Sequence, residues 1–268
     1  MRNIELILSY TGHLFFGWQI QPKLPTVQRE LNIALARLTG QKALRTIGAS
    51  RTDTGVHAHD QHVSVQIQNP IPLEKIVYAL NRMLPTGIHI LSAAERDSEF
   101  SARYNARAKH YAYFINLNRH GVAPFISPFV WNDRRPLDQV AMGVAAQHFV
   151  GTRSFRALQS SRDHRTQTRT TIHRVAVHRQ GDLICFEVIG RHFLYHMVRN
   201  MVGGLIKVGR GEWSPEELGQ GLDRGDRRDM PKIAPASGLH LFKVFYDEGT
   251  YDFSPESARF RDFLTSAP

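Results

Sequence analysis

Along this 268-residue chain the spacing of apolar side chains switches between period two and period 3.6 in the same order twice, which restricts the fold more than any single motif. Alternation at Ile4, Leu6, Leu8 and Tyr10 predicts a strand with one buried face. Thr26 then stands as a cap before a helical stripe of Val27, Leu31, Ala34, Leu35 and Leu38, closed by Gly40. Residues 44–49 read as a strand, and Val63, Val65 and Ile67 mark another. Pro72 opens a second helix with Ile76, Val77, Leu80 and Leu84 on one face, Pro85 ends it, and residues 88–93 form a short strand. The second half repeats this β-α-β-β-α-β order. Its members are a strand at 111–117, a helix at 137–150 with Val140, Val144 and Ala145 inward, and a hairpin of 172–178 and 183–189 across Gln180-Gly181-Asp182. A stripe of Leu194, Met197, Val198, Met201, Leu205 and Val208 follows, then a last strand at 240–245. Ser214, Pro215 and Glu217 announce one extra helix with a capping box, and the arginine-rich stretch 223–232 is expected as an exposed loop. The order predicts an α+β fold of two ferredoxin-like halves around a cleft, divided into residues 1–104 and 105–268.

Hydrophobic residues make up 42% of the chain, enough for one large core or two small ones. The net charge is +10, which points to a polyanionic partner, nucleic acid being the commonest; a basic protein without such a ligand is the alternative. No stretch approaches the ~20 apolar residues of a membrane span. The first ten residues read as a strand and lack a small-residue cleavage site, which argues against a secretory signal and makes the cytosol the expected compartment. The single cysteine, Cys185, excludes an internal disulfide and a cysteine-built zinc site, and its apolar surroundings make it core filler.

Between two predicted strands lies Ala49-Ser50-Arg51-Thr52-Asp53-Thr54-Gly55-Val56-His57-Ala58. Asp-Thr-Gly is an ordinary turn sequence, because Asp bonds its own backbone and Gly permits positive φ. The chemical alternative uses Arg51: a guanidinium near a partly buried carboxylate keeps it ionised, as a nucleophile must be. A second alternative lies just downstream. His57, His59, Asp60 and His62 resemble the H-x-H-x-D-H ligand run of metallo-β-lactamase-type hydrolases, but the aspartate falls one residue early and His62 starts an alternating strand. A solvated histidine run is the expected reading, with no metal.

The motif around Asp53 resembles the G-R-T-D-A-G-V-H signature of TruA-type tRNA pseudouridine synthases, with Ser50 in place of glycine and Thr54 in place of alanine. Four more segments are similar in the same order. Phe16-Gly17-Trp18-Gln19 resembles Y-G-W-Q; Phe100-Ser101-Ala102-Arg103-Tyr104 with Lys109-His110-Tyr111-Ala112-Tyr113 resembles F-H-A-R-F and R-R-Y-R-Y. Ser154-Phe155-Arg156-Ala157 matches S-F-R-A, and the run from Phe193 to Gly203 resembles F-V-H-H-M-V-R-N-I-V-G. The likeness extends from about residue 4 to residue 245.

The resemblance implies a pseudouridine synthase fold, with mostly antiparallel sheets flanking a central basic cleft, and an isomerase. The reaction breaks N1–C1′ of a uridine, turns the base, and joins C5 to the same carbon. Nothing is oxidised and no group enters or leaves, so no cofactor is expected. It further implies that Asp53 is the nucleophile or initiating base, that Arg199 pairs with it, and that Tyr111 stacks on the target uracil. Arg51, Arg103 and the flanking Phe100, Ser101, Ala102 and Tyr104 are expected at the substrate. For Tyr111 and Tyr113, which share a strand face, core packing competes; Tyr111 is assigned to function and Tyr113 to packing. Arg107, Lys109 and Arg119, taken as a cluster around the central linker with Arg103, and the loop of Gln159, Ser160, Ser161 and Arg162 are candidate RNA contacts. The expected partner is tRNA, modified at positions 38, 39 and 40 of the anticodon arm, and the expected assembly a homodimer.

Overall fold

The computed structural model describes all residues except Ala43, Arg162, His164, Ala267 and Pro268. The chain divides into two compact units, Met1–Arg107 with Lys243–Tyr246, and Ala108–Phe242 with Asp247–Pro268. In chain order the first unit holds β1 (Arg2–Tyr10), α1 (Val27–Thr39), β2 (Ile47–Gly48), β3 (His57–Ile67), α2 (Leu73–Met83) and β4 (Ile88–Arg96). The second holds β5 (Ala108–Asn116), β6 (Trp131–Asn132), α3 (Gln139–Ala146), β7 (Gly151–Ser154), β8 (Arg169–Gln180), β9 (Leu183–Gly190), α4 (Met197–Gly209) and α5 (Pro215–Arg224). Strand β10 (Leu239–Phe245) ends in the first unit, and α6 (Pro255–Ser266) belongs to the second.

In the first unit β1 pairs antiparallel with both β3 and β4, and β2 adds to β3, giving the strand order 4-1-3-2 of a ferredoxin-like sheet. Ile4, Leu6, Leu8 and Tyr10 are buried as their alternation requires. The opposite face of β1 is also closed, and there Asn3 and Glu5 are the buried residues. Helix α1 is bounded as its sequence dictates: the Thr26 hydroxyl accepts from the Arg29 N–H, and Gly40 takes the left-handed conformation at φ 75°. The strand expected over 44–49 shrinks to Ile47–Gly48. The Gln28 amide donates to the Thr46 carbonyl (2.9 Å), so a side chain of α1 occupies a backbone group that a longer ladder would have used, and the Thr46 hydroxyl donates to Asn32 (2.7 Å).

In the second unit the order β10-β5-β9-β8 is again 4-1-3-2, extended by β7, with β5, β9, β8 and β7 antiparallel in turn. The capping box predicted at Ser214 and Glu217 is present. Two expectations are corrected. On α3 the buried residues are Met142, Ala145 and Ala146, whereas Val140 is 70% and Val144 53% exposed. The Gln139 amide donates to the Val177 carbonyl of β8 (2.7 Å), which turns the 139/142/146 face inward and the valines out. The stretch 223–232 is not simply an exposed loop: half-buried Arg227 donates to the Asn200 side chain and to the carbonyls of Met230 and Pro231, each at 3.0 Å.

Helix α6 has no counterpart in the sequence-based expectations. It covers an apolar sheet face made by Ala112, Phe114, Leu183, Cys185 and Phe242, contributing Leu264 and Phe260. A buried carboxylate fastens it. Glu187 accepts from the Ser257 hydroxyl (2.6 Å), from His110 Nε2 (3.0 Å) and from His178 Nε2 (3.0 Å). Burial alone would raise the Glu187 pKa, but these donors outweigh it and hold the group well below the usual carboxylate range.

Candidate active site

Asp53 sits half-buried in the loop between β2 and β3, with Arg51 and Thr54 exposed beside it. Val56 N–H donates to the Asp53 carbonyl (3.1 Å) and Gly55 adopts φ 85°, a turn in which glycine is the natural third residue. The ordinary-turn reading is therefore correct about the backbone, and the carboxylate is carried at its first corner.

This turn is held from several directions. Gln61 on β3 clamps Ser50 at both backbone groups, accepting from its N–H (3.1 Å) and donating to its carbonyl (2.7 Å). The Thr52 hydroxyl bonds the Tyr10 hydroxyl at 2.7 Å, and the Thr52 carbonyl accepts from Trp18 N–H at 3.1 Å. Gly55 N–H donates to the Gly12 carbonyl, and Gly12 N–H donates to His57 Nδ1 (3.1 Å). The loop 11–25 lies so close that a Cβ on Gly12 would fall 2.1 Å from the Val56 carbonyl oxygen. One on Gly17, at φ 82°, would fall 2.8 Å from that of Thr52. The Phe16-Gly17-Trp18-Gln19 segment is thus the seat of the Asp53 loop. The family resemblance includes this segment but implies no task for it. Its signal was a pair of glycines in an aromatic loop directly after a strand.

The histidines downstream are placed individually. His57 receives the Gly12 N–H, while His62 is buried between Glu5 (2.8 Å) and Asp60 (3.2 Å), and Asp60 also accepts from Val244 N–H. Among the described residues no three His, Cys, Asp or Glu side chains are grouped to hold a metal ion.

Along the 100–107 segment of the same unit, Phe100 is half-buried under the Arg96 guanidinium, 4.5 Å from its ring centre. Ser101 is half-buried, and Ala102 is fully buried, its N–H donating to the Ser64 hydroxyl (3.2 Å) and its carbonyl accepting from the Tyr246 hydroxyl (2.8 Å). These bonds present Arg103, Tyr104 and Arg107 to solvent, with the Arg103 guanidinium 5.6 Å from the Tyr104 ring centre.

In the second unit Tyr111 lies on β5 opposite Val188, 6% exposed and edge-on to Phe193 at 5.1 Å. Tyr113 is fully buried and donates to the Pro235 carbonyl (2.7 Å), the packing role expected of it. Arg199, in the first turn of α4, is half-buried and donates through Nε to the Ala234 carbonyl (2.8 Å). Helix α4 starts from His196 in the left-handed conformation at φ 67°, an uncommon state for a residue with a side chain.

Lys109 and Arg119 do not cluster. They lie towards opposite ends of β5, and Lys109 to Asn116 alone spans ~23 Å of strand. In the loop after residue 158, Gln159 spends its amide on the Asp163 and Arg165 carbonyls, and Ser160 is buried with its N–H on the Tyr195 carbonyl. Ser161 is exposed, and Arg162 lies outside the described residues. Asp163 closes the loop onto Tyr195 N–H (3.0 Å), and its hydrogen bond to Arg165 holds its carboxyl below the usual range.

Residues 6–105 and 145–247 match the family described as tRNA pseudouridine synthase. The chain belongs to that family. It is 42% identical over 246 residues to tRNA pseudouridine synthase A of Pelobacter propionicus, covering 92% of this chain and 100% of that protein. The enzyme of the same name from Thermoanaerobacter sp. is 38% identical over the same length and coverage. That of Maridesulfovibrio salexigens is 38% identical over 266 residues, 97% of each chain. A solved Cbf5-Nop10-Gar1 complex overlaps weakly, at TM-score 0.38 and 11% identity, covering 87% of this chain and 50% of that one.

Proposed function

We propose that this chain isomerises uridine to pseudouridine in the anticodon stem-loop of tRNA, at positions 38, 39 and 40, with Asp53 as its nucleophilic carboxylate and no cofactor. The observation that carries this reading is a half-buried carboxylate on a turn fixed through Ser50, Thr52 and Gly55, in a chain of the tRNA pseudouridine synthase family. A nucleophile held by backbone bonds loses little freedom when substrate arrives, so its position is set before the reaction starts. Asp53 attacks C1′ or takes a proton to start cleavage of N1–C1′; the freed uracil turns, C5 bonds C1′, and the C5 proton is released as N1 gains one. Arg199 is assigned to the charge of that carboxylate and Tyr111 to stacking on the extruded uracil, as the resemblance implies. Arg51, Arg103, Arg107 and Lys109 are assigned to the RNA backbone, whose contacts offset the few kcal/mol of extrusion. Ala102, being fully buried, serves by holding Arg103 and Tyr104 outward. A homodimer acting in the cytoplasm completes the proposal.

Position-resolved mapping of pseudouridine in unmodified tRNA transcripts tests the reaction and its sites together. Asp53→Asn is expected to bind tRNA nearly as the parent does and to form no pseudouridine; undiminished product from that variant would remove Asp53 from the chemistry.

A further inference from the structure

We infer that Phe16 is an RNA-contacting wedge, the side chain that fills the gap left in the helix when the target uridine swings out toward Asp53. The inference rests on the uridine-isomerase reading above. Three large apolar side chains on the single loop 11–25 stand in water: Leu14 and Ile20 are 46% exposed and Phe16 44%. Their exposure does not come from a loose loop. Phe16 N–H donates to the Pro25 carbonyl (2.9 Å), and the Phe16 carbonyl accepts from the Gln21 amide (2.7 Å). On either side Phe15 and Trp18 are 5% and 1% exposed and anchor the segment. The backbone is therefore fixed while one aromatic ring is kept out of the core.

Its location gives that ring a purpose. Gly17 lies against the peptides of Thr52 and Asp53, with a hypothetical Cβ 2.8 Å from the Thr52 oxygen and 3.0 Å from the Asp53 carbonyl carbon. Phe16 is one Cα step of about 3.8 Å from that contact. On this reading an arriving nucleoside passes beside it, and the bases it leaves behind expose two apolar faces. Apolar side chains inserted at such steps are how proteins offset the cost of unstacking. An aromatic ring does this without reading sequence, because every base has a π-face.

The test compares two synthetic RNA hairpins under single-turnover conditions, one with the target uridine paired in the stem and one with an abasic site opposite it. For Phe16→Ala, kcat/KM on the paired hairpin is expected to fall about tenfold to a hundredfold, the scale of one lost stacking contact. On the abasic hairpin, where no base pair opposes extrusion, the loss is expected to be about threefold or less. Phe16→Trp is expected to restore the paired reaction, and the melting temperature of both variants to match the parent. An equal loss on both hairpins, or none, overturns the wedge while leaving the isomerase reading intact. Parent protein that forms no pseudouridine on either hairpin overturns both.

Discussion

At position 62 a buried imidazole stands between two carboxylates, Glu5 and Asp60. Burial is the largest single influence and pulls its pKa down, but the hydrogen bonds and charges of Asp60 and Glu5 together outweigh it and push the group up to about 9. A folded-state pKa above the unfolded value means that the stabilisation is fully present below about pH 6.5 and is lost as pH rises through about 9. The full effect is at most roughly 3 kcal/mol. Urea midpoints measured from pH 6 to 10 should fall across this window, and His62→Gln should flatten that fall; a parent midpoint that stays level would exclude a charged His62. A second expectation concerns Gly17. Gly17→Ala would force a side chain into φ 82° and against the Asp53 loop, at a cost of about 1–3 kcal/mol. Activity should drop further than stability, since the displaced atoms belong to the turn that carries Asp53, the proposed nucleophile. Equal activity of Gly17→Ala and parent at saturating tRNA would show that the close approach does not position Asp53. What the sequence offered at this scale was a candidate, Asp53, singled out by the resemblance of residues 50–57 to the family signature. What it hid was the support: Tyr10 reaches Thr52 from a strand 42 residues away, Gln61 folds back on Ser50 from 11 residues on, and no periodic pattern announces either reach.

Among the elements, α6 carries the clearest energetic consequence. Without it the Phe114, Phe242 and Cys185 face loses its cover, and Glu187 loses the Ser257 hydroxyl. Ser257→Ala should cost about 1.5–3 kcal/mol, the range for a hydrogen bond to a charged group, read from chemical denaturation. Deleting residues 255–268 should lower the melting temperature more and raise binding of an apolar dye; a truncated protein as stable as the parent would mean that α6 covers nothing that matters. The strands and helices with strong periodicity were legible in advance, with β1, α1 and α4 where Leu6, Leu31 and Met201 placed them. Errors arose where pattern and packing part company. The valines of α3 look like a core stripe but one glutamine bond rotates them outward, and β2 is cut short where the Gln28 amide takes the Thr46 carbonyl. In α6 only Ser257 and Leu264 are buried outright, too few to give a visible stripe.

For the whole molecule, the charge of +10 makes tRNA binding a polyelectrolyte exchange. If about six phosphates are neutralised, Kd should weaken roughly a thousandfold between 50 and 200 mM salt. Filter binding across that range checks this, and an affinity indifferent to salt would contradict it. The division of the chain adds a temporal consequence. The unit that carries Asp53 includes Lys243–Tyr246, where Val244 bonds Asp60 and the Tyr246 hydroxyl bonds the Ala102 carbonyl. During synthesis this half cannot close until residue 246 has left the ribosome, however early its first strands emerge. Chain already emerged through Arg107 therefore waits, its packing incomplete, for a segment that begins only at Lys243.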